Sequence, residues 1–281
     1  MSERQPAQKA GNSNFQVRVV SAVALAAMAI AALWFGGLPF RALAAIGGFL
    51  VYWEWQSITG YDKYGLLELA APAAVVACIV LVVLNFPVLE SIIPAAFATL
   101  FAAAACARRG MSYWFPLGVP YAILPVLGLV SLRADTHAGL AATVFLFAIV
   151  WATDIFAYLC GRAIGGPKLA PGISPNKTWS GSIGGAVAAV VAGLSAAGFF
   201  GASGLWFLAL LSLALSLSAQ AGDLFESYVK RRFGVKDSGT IIPGHGGVMD
   251  RVDGLIAAII VLYAICALMG YAGDPAAALF P

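Results

Sequence analysis

Long runs of apolar residues separated by short polar breaks repeat along this chain from Val17 almost to its C-terminus. A helix needs roughly 20 such residues to cross a hydrocarbon core about 30 Å thick. The runs therefore predict membrane-spanning helices near 17–35, 38–55, 69–89, 92–107, 113–131, 138–160, 182–201, 204–222 and 254–272. Nine spans result, of which the second and fourth are short enough to be re-entrant or tilted pieces. Residues 1–14 read as a disordered polar tail and 15–281 as a single polytopic membrane domain, so the expected fold class is all-α.

Composition agrees, with 61% hydrophobic and 10% charged residues, where a soluble domain carries about 25% charged. The first apolar run follows Arg4, Lys9 and Arg18 in the manner of a secretory signal. Its far end, Leu33-Trp34-Phe35-Gly36-Gly37, lacks a small-x-small cleavage pattern, so a retained first helix is expected. Cys78, Cys106, Cys160 and Cys266 stand singly in or beside apolar runs, without the pairing that zinc or redox motifs require. A net charge of +3 gives no reason to expect a nucleic-acid partner.

Charge also predicts orientation, because Lys and Arg accumulate in cytoplasmic loops. With nine alternating spans and a cytoplasmic N-terminus, 14 of the 16 Lys and Arg residues fall inside and only Arg41 and Arg133 outside. Adding or dropping a span midway scrambles that split.

Two of the inside loops, about 161–181 and 223–253, carry most of the unusual chemistry. The second holds five of the thirteen acids, Asp223, Glu226, Asp237, Asp250 and Asp253, beside Lys230, Arg231, Arg232, Lys236 and Arg251. Such mixing suits a site where Mg²⁺ is held by carboxylates and substrate phosphates while Lys and Arg neutralise the remaining phosphate charge. It equally suits a solvated interfacial loop whose acids and bases pair with each other. Gly244, Gly246 and Gly247 around His245 permit turns closed to other residues. Asp154 lies roughly 9 Å inside the inner end of the sixth span, either completing a metal site or making a polar contact between helices. Glu54, between Trp53 and Trp55, reads as an interfacial residue.

The order of residues narrows this choice. From Ser227 the chain reads Ser227-x-x-Lys230-Arg231, then Lys236-Asp237-x-Gly239, then Pro243-x-His245-Gly246-Gly247-x-x-Asp250-Arg251-x-Asp253. This resembles the signature of the phosphatidate cytidylyltransferase (CDP-diacylglycerol synthase) family. Gly222-Asp223-Leu224-Phe225-Glu226 resembles that family's lead-in, and Lys168-Leu169-Ala170-Pro171 with Ser174-Pro175-x-Lys177-Thr178-Trp179 its second conserved block. The resemblance covers about 154–254, the expected catalytic part. It departs at Asn176, at Ser180 and across Asp154-Ile155-Phe156-Ala157-Tyr158.

The resemblance implies cytidylyl transfer from CTP to phosphatidic acid, both polyanions, giving CDP-diacylglycerol and pyrophosphate. The lipid phosphate is the nucleophile, so the enzyme screens charge and aligns reactants. On this reading Asp223 and Asp250 are Mg²⁺ ligands, and Asp253 and Asp237 are outer-shell or second-cation candidates, the second cation being monovalent. Lys177, Lys230, Lys236 and Arg251 clamp phosphates, and His245 binds a phosphate or orients an aspartate. Ser174, Ser227, Arg231, Gly246 and Gly247 complete the substrate-binding set. The resemblance also implies a homodimer and a bacterial inner-membrane location, with the motif loops on the face where CTP is found.

Three other readings are open to such a chain. A polyprenol kinase shares the membrane habit and CTP, but transfers the γ-phosphate. A CDP-alcohol phosphotransferase shares Asp250-x-x-Asp253-Gly254, but Ala258 stands where its arginine is required. A transporter would explain a buried Asp154, yet the ionisable cluster sits at one face.

Overall fold

The computed structural model describes residues 8–59, 66–110, 112–242 and 246–281. Among these lie nine α-helices, and the chain is a multi-pass, predominantly helical integral membrane protein. The helices are α1 (Gln8–Phe35), α2 (Gly37–Thr59), α3 (Leu66–Val83), α4 (Val88–Arg109), α5 (Trp114–Arg133), α6 (His137–Ile164), α7 (Trp179–Phe199), α8 (Leu205–Arg232) and α9 (Met249–Leu268). Six of them, α4 to α9, are long and apolar enough to cross a membrane. The segment read as a tail is helical from Gln8 onward, while residues 1–7 lie outside the described residues.

Two elements differ from expectation. A short antiparallel hairpin, β1 (Lys168–Ala170) and β2 (Ser174–Thr178), pairs Lys168 with Thr178 and Ala170 with Ser174 between α6 and α7. And the polar segment expected to begin a loop at Asp223 continues α8 as far as Arg232. The helix outlasts its apolar run because its hydrogen bonds do not depend on hydropathy. It stops where Gly234, at φ +74°, allows the left-handed closing turn. There the N–H of Gly234 bonds the Arg231 carbonyl at 3.2 Å and that of Val235 the Lys230 carbonyl at 2.9 Å. Asp223, Glu226 and Lys230 consequently share one helical face.

The buried side chains form two main clusters. One gathers residues of α2 to α5 with Val229 and the start of α9, and the other gathers α6 to α8, the rest of α9 and the C-terminal Ala276, Leu279 and Phe280. Helix α9 contributes Met249 and Ile256 to the first and Ile259 and Leu262 to the second, tying the two together. Helices α6 and α7 pack closely through a stripe of small residues, Gly181, Gly185, Ala189, Gly193 and Ala197, buried at every fourth position. A Cβ on Gly185 would lie 2.7 Å from the Thr153 carbonyl oxygen, so this contact fixes the turn of α6 that bears Asp154.

Candidate functional site

Four elements converge at one end of the bundle: the C-terminal turns of α8, the first turns of α9, the hairpin and the C-terminal half of α2. Helix α8 projects Asp223 and Glu226, and α9 projects Asp253. Carboxylate oxygens of these three residues all lie within 4.8 Å of one another. Like charges at that spacing repel, and the cations beside them account for part of the balance. Lys177, carried in by β2, places Nζ 2.6 Å from Asp223 Oδ2. Lys230 lies between Glu226 Oε2 at 2.7 Å and Asp250 Oδ1 at 2.6 Å. Glu226 Oε1 and the Tyr121 hydroxyl of α5 are buried with no hydrogen-bond partner. The charges acting on that hydroxyl are Asp253, Glu226 and Asp223. Hard carboxylate oxygens, one of them orphaned, suit a divalent ion that prefers oxygen donors.

Asp250 occupies a different place from the one expected beside Asp223. While Oδ1 receives Lys230, Oδ2 accepts the Ser238 N–H at 3.0 Å, the Ser238 hydroxyl at 3.0 Å and the Gly247 N–H at 2.9 Å. With both oxygens so engaged, Asp250 acts as the joint between α8, the 233–248 connection and α9. The acid that joins Asp223 is Asp253, one turn further along α9.

Behind this joint is a residue the sequence reading placed at the interface. Glu54 is 1% exposed. Its Oε1 accepts the Val248 N–H at 2.8 Å, and its Oε2 accepts the Met249 N–H and the Ser238 hydroxyl, each at 2.8 Å. Glu54 thus caps α9 from a helix almost 200 residues away, supplying negative charge where unpaired N–H groups and the helix dipole favour it. Trp55 holds this turn of α2 in place, donating Nε1–H to the Trp114 carbonyl at 2.8 Å and packing against Tyr121 and Phe225. The sequence did hold a signal, since an acid within an apolar run is functional by default.

Gly247 lies inside this arrangement. A Cβ there would fall 2.0 Å from Ser238 Oγ and 2.4 Å from Glu54 Oε2. Gly247→Ala is therefore expected to lower stability by about 1–3 kcal/mol, the usual cost of overpacking. Thermal unfolding in detergent checks this, and an unchanged midpoint would show that the cradle has slack.

The remaining expected residues are spread around the same end. Ser174 lies on β2 with Lys177, and Ser227 and Arg231 lie on the last turns of α8. Lys236 and Asp237 are exposed on the connection, and Arg251 is exposed on α9. Gly246 adopts φ +81° and pairs with Ile242 in an isolated bridge. Asp154 of α6 is within electrostatic range of Asp223, Lys177 and Arg251. His245 lies outside the described residues.

Residues 16–269 match the model of a family described as the cytidylyltransferase family. A protein of Brucella suis biovar 1 named phosphatidate cytidylyltransferase is 43% identical over 270 residues, covering 95% of this chain and 99% of that protein. One of the same name from Brucella abortus biovar 1 is 44% identical over 253 residues, or 89% and 93% of the two chains. A third, from Rickettsia bellii, is 49% identical over 126 residues, covering 42% of this chain and 54% of that one.

Proposed function

The chain belongs to the cytidylyltransferase family and catalyses CTP-dependent cytidylyl transfer to phosphatidate, and we propose that it does so by direct attack of the lipid phosphate within the acid and lysine cluster on α8, α9 and β2. The observation that carries this mechanism is the gathering of Asp223, Glu226 and Asp253 within 4.8 Å, with Lys177 on Asp223 at 2.6 Å. An oxygen of the phosphatidate phosphate forms a bond to the α-phosphorus of CTP. The bond from that phosphorus to the β-bridging oxygen breaks, and its electron pair leaves with pyrophosphate. No side chain need become covalently attached.

Asp223, Glu226 and Asp253 would hold Mg²⁺, with Asp237 and Asp154 as candidates for an outer shell or a second, monovalent cation. When bound, such an ion supplies positive charge against the phosphates and the leaving pyrophosphate. Lys177 and Lys230, already tied to carboxylates, turn their remaining donors toward incoming phosphate. Lys236, Arg231 and Arg251 add positive charge at the rim, where CTP approaches from water. Ser174, Ser227, Gly246 and Gly247 offer hydroxyl or backbone donors near the same place, and His245 is assigned to phosphate binding or aspartate orientation. Asp250 is given a positioning role, because both its oxygens are engaged.

In the bilayer this reading has nine spans, a single membrane unit over 15–281, a cytoplasmic N-terminus and the site at the cytoplasmic face of a bacterial inner membrane. The distribution of Lys and Arg supports that orientation. Phosphatidate would reach the site by lateral diffusion, its phosphate level with the ends of α8 and α9. A homodimer is part of the proposal.

Stereochemistry tests the mechanism. The full chain, given phosphatidate and CTP with a single α-phosphorothioate diastereomer, is expected to yield product inverted at phosphorus. Retention would require a covalent enzyme intermediate and overturn direct attack. Label supplied as γ-phosphate should appear only in pyrophosphate, whereas γ-label in lipid would indicate a kinase.

A further inference from the structure

At the opposite end of the bundle from the acid cluster lies a cavity of about 810 Å³. It is bounded by the start of α2, the turn between α3 and α4, the last turns of α5 and the end of α9 with the segment following it. Its position follows from chain direction. Helix α5 begins at Trp114 beside the site's aromatic residues and ends at Arg133, and α9 begins at Met249, next to Asp250, and runs toward Tyr263. The cavity thus lies at the other end of these helices, which on the orientation proposed above is the opposite face of the membrane, and nothing in the cytidylyl-transfer reading uses it.

Its two cations are Arg41 and Arg133, the pair that the charge distribution places apart from the other fourteen. Arg133 is satisfied. It is 6% exposed and donates to the carbonyls of Leu33 at 2.7 Å, Ala134 at 2.7 Å and Trp34 at 3.3 Å. Asp135 is the acid acting on it, and Oδ1 of Asp135 also accepts the Gly37 N–H at 2.7 Å. The corner is tightly built, for a Cβ on Gly36 would lie 2.7 Å from Arg133 Nη2.

Arg41 differs. Its Nε is buried without a hydrogen-bond partner, and among the described residues no carboxylate pairs with its guanidinium. Arg41 as a whole is partly exposed, but a buried donor without a partner is costly, and Asp135 is already shared between Arg133 and Gly37. Among the described residues, then, the cavity wall carries one cation that no carboxylate pairs. Its walls are otherwise largely apolar, with Phe40, Phe86, Val88, Ile92 and Val130 among them. A guanidinium fork at the end of a helix, beside an apolar cleft, matches a ligand with a phosphate at one end and hydrocarbon at the other.

We propose that this cavity is a binding site for an anionic phospholipid of the leaflet opposite the active site, with its headgroup phosphate on Arg41 and its acyl chains along Phe40, Val88 and Ile92. A free phosphate would meet the same guanidinium but would leave the apolar walls uncovered.

The test uses the full chain in phosphatidylcholine nanodiscs doped with a photoreactive phosphatidylglycerol carrying a diazirine on one acyl chain. Crosslinks are expected in the segments around Phe40, Val88 and Tyr263. Unlabelled phosphatidylglycerol should suppress them, while phosphatidylcholine and inorganic phosphate should not. Arg41→Gln should reduce labelling there by about 10-fold or more, a modest loss for a desolvated charge pair. Arg41→Lys should retain part of it, and any labelling near α8 and the start of α9 should stay unchanged in both variants. In pure phosphatidylcholine Arg41→Gln should unfold no earlier than the parent chain, since it removes an unpaired charge. Suppression by phosphatidylcholine or by inorganic phosphate would overturn the proposal on the unmodified chain alone, and undiminished labelling of a folded Arg41→Gln protein would overturn the role of Arg41.

Discussion

Asp223→Asn is expected to lower turnover roughly 10²–10³-fold, the range seen when one charged group that stabilises a transition state is removed, while the protein stays folded and membrane-inserted. The asparagine keeps the shape and one carbonyl oxygen but removes the negative charge shared between Lys177 and the acid trio. Two consequences should appear together. The Mg²⁺ concentration needed for half-maximal activity should rise, because a neutral amide is a poorer ligand for a hard cation than a carboxylate. Lys177, 2.6 Å from Asp223 Oδ2, should lose its anchor, so the KM for CTP should change as well. Asp253→Asn should raise the Mg²⁺ requirement in the same way without the effect through Lys177. Activity and metal titration of the two variants in parallel provide the measurement. If Asp223→Asn kept parental turnover and metal dependence, the trio would be a structural cluster with no part in the chemistry.

Which parts of this arrangement can be read from the chain depends on how local their causes are. A hydropathy run and its helix are the same residues, so the nine runs coincide with the nine helices among the described residues to within a few positions at most ends. The end of α8 was misplaced by ten residues because the polar turn from Asp223 to Arg232 leaves the apolar pattern without leaving the helix. The terminating signal was Gly234, and the spacing of Asp223, Glu226 and Lys230 was already a helical face. The β1–β2 hairpin escaped notice because its strands of three and five residues show no alternation. The residues of the signature resemblance gather at one end of the bundle, but order along the chain does not say which of two acids a turn apart faces Asp223. Asp250 is turned toward Lys230, Ser238 and Gly247, and Asp253 takes the place beside Asp223. Glu54 was missed because its partners are largely backbone N–H groups, which every residue except proline carries and no motif records, and Ser238 because its acceptors, the Glu54 and Asp250 carboxylates, lie 184 and 12 residues away along the chain.

Glu54→Ala is expected to be the most destabilising single change near the site. It would leave the N–H groups of Val248 and Met249 without their present acceptor, and the Ser238 hydroxyl with Asp250 Oδ2 alone. A buried donor left unsatisfied costs about 1–3 kcal/mol, so even the low end for these two N–H groups totals about 2 kcal/mol. A large fall in the unfolding midpoint should follow. The conservative change Glu54→Gln separates position from fold, because the amide oxygen can still accept from one side while its NH₂ meets donors on the other. That variant should fold, yet the start of α9 should shift, and Asp250, Lys230 and Ser238 should shift with it. Its turnover should fall more than its affinity for CTP, the pattern of a residue that positions others without touching substrate. Because the Ser238 hydroxyl lies between Glu54 and Asp250, the effects of Glu54→Gln and Ser238→Ala should be strongly non-additive. Independent, additive effects would mean that Glu54 only caps α9, and that Asp250 is held in place from the α8 side alone.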